Sequence, residues 1–144
     1  MKILMVCLGN ICRSPLADAI LNSITSDKIT VDSAGTSDYH IDSKPDKRMI
    51  KKAIDHGFDL NSLRARQFSK EDFECFDLIL TMDKDNYKNV TSKTDNPEHL
   101  KKVKLFLSSN EDVPDPYFGK EDGFELVFKI VFEECQKLAN KLDV

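Results

Sequence analysis

Cys7 and Arg13 stand at the two ends of a short loop, Val6-Cys7-Leu8-Gly9-Asn10-Ile11-Cys12-Arg13-Ser14-Pro15. A thiol and a guanidinium at this spacing can form an anion trap with a nucleophile at its base. The flanking residues decide whether they do. Lys2-Ile3-Leu4-Met5-Val6 is short, apolar and partly β-branched, which predicts a buried parallel strand. Ser14-Pro15 then opens a helix, with proline in the first turn where its missing N–H costs little. Gly9 and Asn10 tolerate the unusual backbone angles that a sharp turn requires. Such a strand–loop–helix aims backbone N–H groups and the positive helix end at one point. Arg13 adds a planar fork of donors that matches two phosphate oxygens. Cys7 would sit in that field, which lowers a thiol pKa and frees the thiolate. A plainer alternative stays open: Cys7 as a small buried hydrophobe and Arg13 as a surface charge.

The second chemical candidate is Asp115, in Glu111-Asp112-Val113-Pro114-Asp115-Pro116-Tyr117-Phe118-Gly119, a Pro-, Asp- and Gly-rich loop. Two flanking prolines stiffen the chain and fix where its carboxyl points. Cleaving a phosphate ester through a cysteine needs a proton for the leaving oxygen and later a base for water. A loop carboxyl can serve both steps. Composition alone equally fits Asp115-Pro116 as a turn initiator.

Cys7–Pro15 resembles the signature of the low-molecular-weight protein tyrosine phosphatases. Asp115-Pro116-Tyr117 resembles the general-acid loop of that family, at the expected place near the C-terminus. Asp32-Ser33-Ala34-Gly35-Thr36, Ala65-Arg66-Gln67 and Thr81-Met82-Asp83 resemble family segments in order, so the likeness spans the whole chain. The resemblance implies a single domain over residues 1–144 that hydrolyses phosphotyrosine monoesters in proteins or peptides and releases inorganic phosphate. It implies Cys7 as nucleophile through a phosphocysteine, Arg13 as the transition-state cation, and Asp115 as acid and then base. Loop residues Leu8, Gly9, Asn10, Ile11, Cys12 and Ser14 would supply the phosphate cradle. Ser14 would donate to the Cys7 thiolate, and Asn10 would brace the loop through Ser33 and Ser14. Tyr39 and Tyr117 would wall the cleft, and Asp83 would support. No cofactor and no metal is expected, since Arg13 supplies the cation and the thiolate replaces metal-bound water.

Departures from the family pattern carry information. Asn61-Ser62-Leu63-Arg64 lacks a histidine that many members carry before Ala65-Arg66-Gln67, leaving water or Ser62 to take its place. Phe118 stands where some members have a second tyrosine, and Tyr39 where some have tryptophan. His40 reads as an exposed rim group. Relatives that act on phosphoarginine carry Thr where this chain has Ile11, and an apolar residue suits an aromatic ring better. Related arsenate reductases need further redox cysteines, but Cys75 and Cys135 lie far apart and read as core or semi-buried thiols. A phosphate-binding module without turnover is a further alternative, set against the presence of Cys7, Arg13 and Asp115 together. Cys12 could form a reversible disulfide with Cys7, as in some relatives, or be a plain loop residue.

The rest of the chain predicts the scaffold. With 40% apolar residues it can bury a full core, and a net charge of −4 argues against general nucleic-acid binding. No apolar run reaches membrane-spanning length, and the reactive loop begins too early for a leader, so a cytoplasmic protein is expected. Scattered Cys and His residues argue against a zinc site. Strands are predicted at Ile29–Ser33, Asp77–Met82 and Val103–Leu107. Helices are predicted after Ser14, over Asp46–His56 and Asp83–Val90, and over Glu121–Leu142, with a capped turn at Ser69–Asp72. Ala17, Ile20, Leu21 and Ile24 form one inward stripe, and Met49, Ile50, Ala53 and Ile54 another. Lys101, Lys102 and Lys104 read as a solvated cluster. Glu111, Asp112, Glu121, Asp122 and Glu125 make the acid-loop region acidic. Lys88–His99 reads as a polar surface loop. Strand–helix alternation implies an α/β fold with a doubly wound, four-stranded parallel sheet; the family resemblance implies three layers, a flavodoxin-like form and strand order 2-1-3-4. Exposed aromatics beside the cleft allow a monomer or weak self-association.

Overall fold

The computed structural model describes residues 1–117 and 121–142, with the side chains of Glu121 and Asp122 excepted. Phe118, expected where some relatives have tyrosine, lies outside the described residues, as do the Glu121 and Asp122 side chains read as part of an acidic region. The sheet has four parallel strands: β1 (Lys2–Cys7), β2 (Thr30–Gly35), β3 (Leu78–Thr81) and β4 (Val103–Leu105). Their order is β2-β1-β3-β4, as expected. Central strand β1 is buried on both faces from Ile3 to Cys7 because each face is covered by helices. Ile3 and Met5 join the core under α1 (Arg13–Ile24) and α6 (Glu121–Leu142). Leu4 and Val6 join a second core with Phe68, Phe73, Phe76 and Val90. That face carries α3 (Asp72–Cys75) and α4 (Lys84–Thr91), while α2 (Lys47–Asp55) packs against α6.

Local chemistry explains most boundaries. Asp46 caps α2 by accepting from Arg48 N at 2.8 Å. Asp83 caps α4 in a reciprocal box with Asn86. Gly57 ends the α2 segment at φ +90°, where a side chain would be strained. On edge strand β2, the Asn22 amide donates to Val31 O at 3.0 Å and accepts from Val31 N at 3.2 Å. It completes the hydrogen bonds that a fifth strand would otherwise make.

Several expectations shift. Ile24 and Ile54 face outward, because each lies at the end of its helix, past the covered surface. Strand β4 stops at Leu105, although Phe106 N still donates to Thr81 O. Lys88–His99 is not a plain loop: α4 runs through Thr91, and Pro97–Leu100 forms α5, capped by Asn96. Its His99 stacks on Phe73 at 4.9 Å, which gives the segment a structural anchor. Lys102 Nζ donates to Phe73 O rather than standing in solvent. Cys75 is exposed, whereas Cys135 is buried in the core.

Candidate active site

All the candidate chemistry gathers at the carboxyl ends of the strands, where loops leave a parallel sheet. The loop after β1 wraps the Cys7 sulfur. Asn10 N lies 3.2 Å from Cys7 Sγ and Ser14 Oγ lies 3.0 Å from it. Asn10 adopts φ +58°, an unfavourable region that asparagine tolerates better than most residues. Its side chain holds that shape: Nδ2 donates to Ser14 Oγ at 2.8 Å, and Oδ1 accepts from Arg66 N at 3.0 Å. The expected Asn10–Ser33 contact is therefore replaced by a backbone donor from the Ala65-Arg66-Gln67 segment. Ser33 turns instead toward Asp18. Ser62 is exposed and takes no part in the network. The loop is tied down from outside as well. Cys7 O, Leu8 O and Ile11 O accept from Thr36 N, Ser37 N and Asp46 N at 2.9, 3.0 and 2.8 Å. Among the described residues, the N–H groups of Leu8, Gly9, Ile11, Cys12, Arg13 and Ser14 meet no protein acceptor. With the N-terminus of α1 they form a ring of unspent donors, an anion cradle.

Arg13 is buried beside this ring. Its Nη1 donates to Asp83 Oδ2 at 2.7 Å and to Val113 O at 3.0 Å, and Nη2 lies 3.4 Å from Asp115 Oδ2. Burial opposes its charge, yet Cys7, Asp83 and Asp115 outweigh that and hold the guanidinium above its usual pKa. Asp83 does two jobs with two oxygens: Oδ1 caps α4 and Oδ2 orients Arg13. Asp115 is fixed by its own loop, since Oδ1 accepts from Tyr117 N at 3.0 Å.

Cys7, Leu8, Gly9, Ile11, Cys12, Arg13, Tyr39, His40, Asp115 and Tyr117 line a cavity of about 250 Å³. Tyr39 is 73% exposed, so it stands at the rim rather than deep in a wall. His40 belongs to the lining, tilted against Tyr117 with centroids 5.9 Å apart, although it carried no expected role. Gly35 ends β2 directly beneath the reactive loop. A Cβ there would lie 2.8 Å from Leu8 O and 3.1 Å from Asn10 N, so only glycine lets the reactive loop close over β2. No sequence signal marked Arg48, which lies on α2 and bonds to Tyr117 O.

Two further titratable groups are buried nearby. Burial first, then Asp46, Cys7 and Asp115, push the Cys12 thiol far above its ordinary range. Asp18, on α1, is pushed up to about 7 by burial and by Asp32, against the hydrogen bonds from Ser33 and Asn22. Among the described residues no cluster of three or more His, Cys, Asp or Glu could hold a metal ion, and no helix is long and apolar enough to cross a membrane.

The chain is similar to known proteins along nearly all of its length. A Synechocystis sp. relative described as a low molecular weight protein-tyrosine-phosphatase is 44% identical over 152 residues, covering 99% of this chain and 96% of its own. The Gallus gallus low molecular weight phosphotyrosine protein phosphatase is 37% identical, covering 97% of this chain and 94% of its own. The protein tyrosine phosphatase of Entamoeba histolytica, solved with Hepes in its active site, superposes with TM-score 0.90 at 37% identity, covering 99% and 97% of the two chains. Vibrio vulnificus Wzb, solved in complex with benzylphosphonate, gives 0.90 at 31% identity, covering 97% of each. The model of the family described as "Low molecular weight phosphotyrosine protein phosphatase" matches residues 2–144. With a buried cysteine, its loop of free amides and an arginine between two aspartates all spanned by that match, the chain belongs to the low molecular weight phosphotyrosine protein phosphatase family.

Proposed function

We propose that this protein hydrolyses phosphotyrosine monoesters through a phosphocysteine, using residues of one domain and one chain. The free amides of Leu8, Gly9, Ile11, Cys12, Arg13 and Ser14 and the outer nitrogen of Arg13 bind the three non-bridging phosphate oxygens. The Cys7 thiolate attacks phosphorus; the P–S bond forms as the bond to the aryl oxygen breaks. Asp115, protonated, gives its proton to that oxygen, and the phenol leaves. Water then attacks phosphorus, the Asp115 carboxylate takes its proton, and the S–P bond breaks to return Cys7 and release inorganic phosphate. Ser14 donates to the thiolate in the resting and final states.

The observation that carries this reading is the setting of Cys7 Sγ. Asn10 N at 3.2 Å and Ser14 Oγ at 3.0 Å hold it at the centre of unpaired amides, with Arg13 and Asp115 across the opening. Tyr39, Tyr117 and Ile11 favour an aromatic leaving group over a guanidinium, and benzylphosphonate in the Vibrio protein has the same aryl-plus-phosphoryl shape. Four free cysteines suit a reducing compartment, and we assign the protein to the cytoplasm. Under peroxide, Cys7 is oxidised to its sulfenic acid, which condenses with the Cys12 thiol to a disulfide and water; burial holds that thiol protonated, so the closure is slow.

The test is release of phosphate from a phosphotyrosine peptide with excess chelator, beside a phosphoarginine substrate and a Cys7→Ser control. Chelator-resistant, Cys7-dependent release from phosphotyrosine is expected, with phosphate binding retained in Cys7→Ser. Preference for phosphoarginine overturns the substrate, and equal release from Cys7→Ser overturns the mechanism.

A further inference from the structure

The acid loop needs something to hold it at the right distance from Cys7. On the N-terminal side of Asp115, Val113 N donates to Met82 O at 2.7 Å, which fixes that end to the residue just after β3. On the C-terminal side, Arg48 Nη2 donates to Tyr117 O at 2.8 Å. Arg48 is itself held rigidly. Its Nε and Nη2 reach Asp46 Oδ1 and Oδ2 at 3.1 and 2.9 Å, the fork geometry that fixes a guanidinium plane. The plane lies over the Phe124 ring at 4.6 Å and faces the Tyr117 ring at 5.7 Å. Asp46, in turn, donates its backbone N–H to Ile11 O in the reactive loop at 2.8 Å. Its carboxylate is fixed further by the Arg48 N–H at 2.8 Å.

A continuous path results. It runs from Ile11 O through Asp46 to Arg48, across to Tyr117 O, and from Tyr117 N to Asp115 Oδ1 at 3.0 Å. We propose that the Asp46–Arg48 pair is a positioning clasp that locks the acid loop to the nucleophile loop and so sets where Asp115 delivers its proton. Arg48 is not part of the lining of the Cys7 cavity, and its effect on the reaction runs through Asp115. Its contribution is geometric: proton transfer demands hydrogen-bond reach, and misplacement by an ångström costs on the order of a hundredfold in rate. Lysine at this position could reach Tyr117 O but could not also present a planar fork to Asp46.

This inference rests on the proposed general-acid role of Asp115, and its test separates the two. kcat/KM is measured for para-nitrophenyl, phenyl and para-methylphenyl phosphates, which reports the step in which the aryl oxygen leaves. Wild type should depend weakly on leaving-group pKa and Asp115→Asn steeply. Arg48→Ala and Asp46→Asn should fall between them, slowing para-methylphenyl phosphate about tenfold and para-nitrophenyl phosphate far less. Inhibition by inorganic phosphate should stay within about twofold of wild type, because the cradle is intact. Adding Arg48→Ala to Asp115→Asn should change nothing further, since the group it positions is gone. A uniform slowing of all three esters by Arg48→Ala, or a full extra loss in the Asp115→Asn background, overturns the clasp. A flat profile for Asp115→Asn overturns the general-acid reading instead. Should Arg48→Ala not fold, Asp46→Asn decides alone, because asparagine keeps the α2 cap while weakening the fork.

Discussion

Replacing Asp18 by asparagine should make this protein more stable, and only above mildly acidic pH. Asp18 is 2% exposed on α1, its Oδ1 accepting from Asn22 Nδ2 at 2.7 Å. Burial, with Asp32 adding repulsion, moves its pKa from the ordinary 3.8 to about 7. Asp32 faces it from β2 and is itself paired with Arg66 at 3.1 Å, so little positive charge is left over to compensate Asp18. The folded state therefore holds a proton that the unfolded state releases over this interval. Stability consequently falls as pH rises from about 4 to 7, with the full cost present above 7. At about 1.4 kcal/mol per pH unit, a span of this size corresponds to roughly 4 kcal/mol. Asparagine keeps the acceptor for Asn22 and never ionises. Urea unfolding of both proteins at a series of pH values isolates the effect, since every other carboxylate is common to both. The expected difference is near zero at pH 4 and about 2–4 kcal/mol in favour of Asp18→Asn at pH 8. A difference that does not vary with pH, or that favours aspartate at pH 8, refutes the reasoning.

Substitutions at two other positions test the site's supports. Gly35→Ala should keep the fold and lower kcat/KM by about tenfold or more, because its Cβ would meet Leu8 O at 2.8 Å and displace the reactive loop; steady-state kinetics with a far-UV spectrum checks both halves. Asp83→Asn should preserve the α4 cap but lose the charge on Arg13, weakening inorganic phosphate inhibition with little change in melting temperature, whereas Asp83→Ala should also cost about 1 kcal/mol of stability.

Local signals carried far in this chain. The strand positions, the helix over Glu121–Leu142 and the placing of Cys7 at a strand end, Arg13 at a helix start and Asp115 in a loop were legible because apolar runs, caps and a helix-opening proline are local features, whereas the strand order came with the family resemblance. What escaped depends on contacts between distant segments. Asn10 finds the backbone of Arg66, not Ser33, because the Ala65–Phe68 segment adds itself along the β2 edge, where Gly35 N donates to Arg66 O and Phe68 N to Gly35 O. Arg48 carries no signal in the sequence, since nothing local shows which carbonyl lies beyond it. Ile54 shared the spacing of the inward stripe yet faces out, because helical spacing says which residues share a face and not where the covering element ends. His40 reads from sequence as an exposed rim group because the ring it meets, Tyr117, is far along the chain.

The reach of Arg13 has a thermodynamic corollary. Through Asp83, Val113 and Asp115 this one buried side chain joins residues 70 to 102 positions away in sequence. Its anion cradle exists only when the central strand, the third strand and the C-terminal loop are assembled together, so the unfolded chain has no site to offer. Any anion that binds there must act as a folding ligand for the entire chain, by about 2.7 kcal/mol at a hundredfold excess over its Kd. Inorganic phosphate, the reaction's own product, is then both a competitor for turnover and a protectant against unfolding.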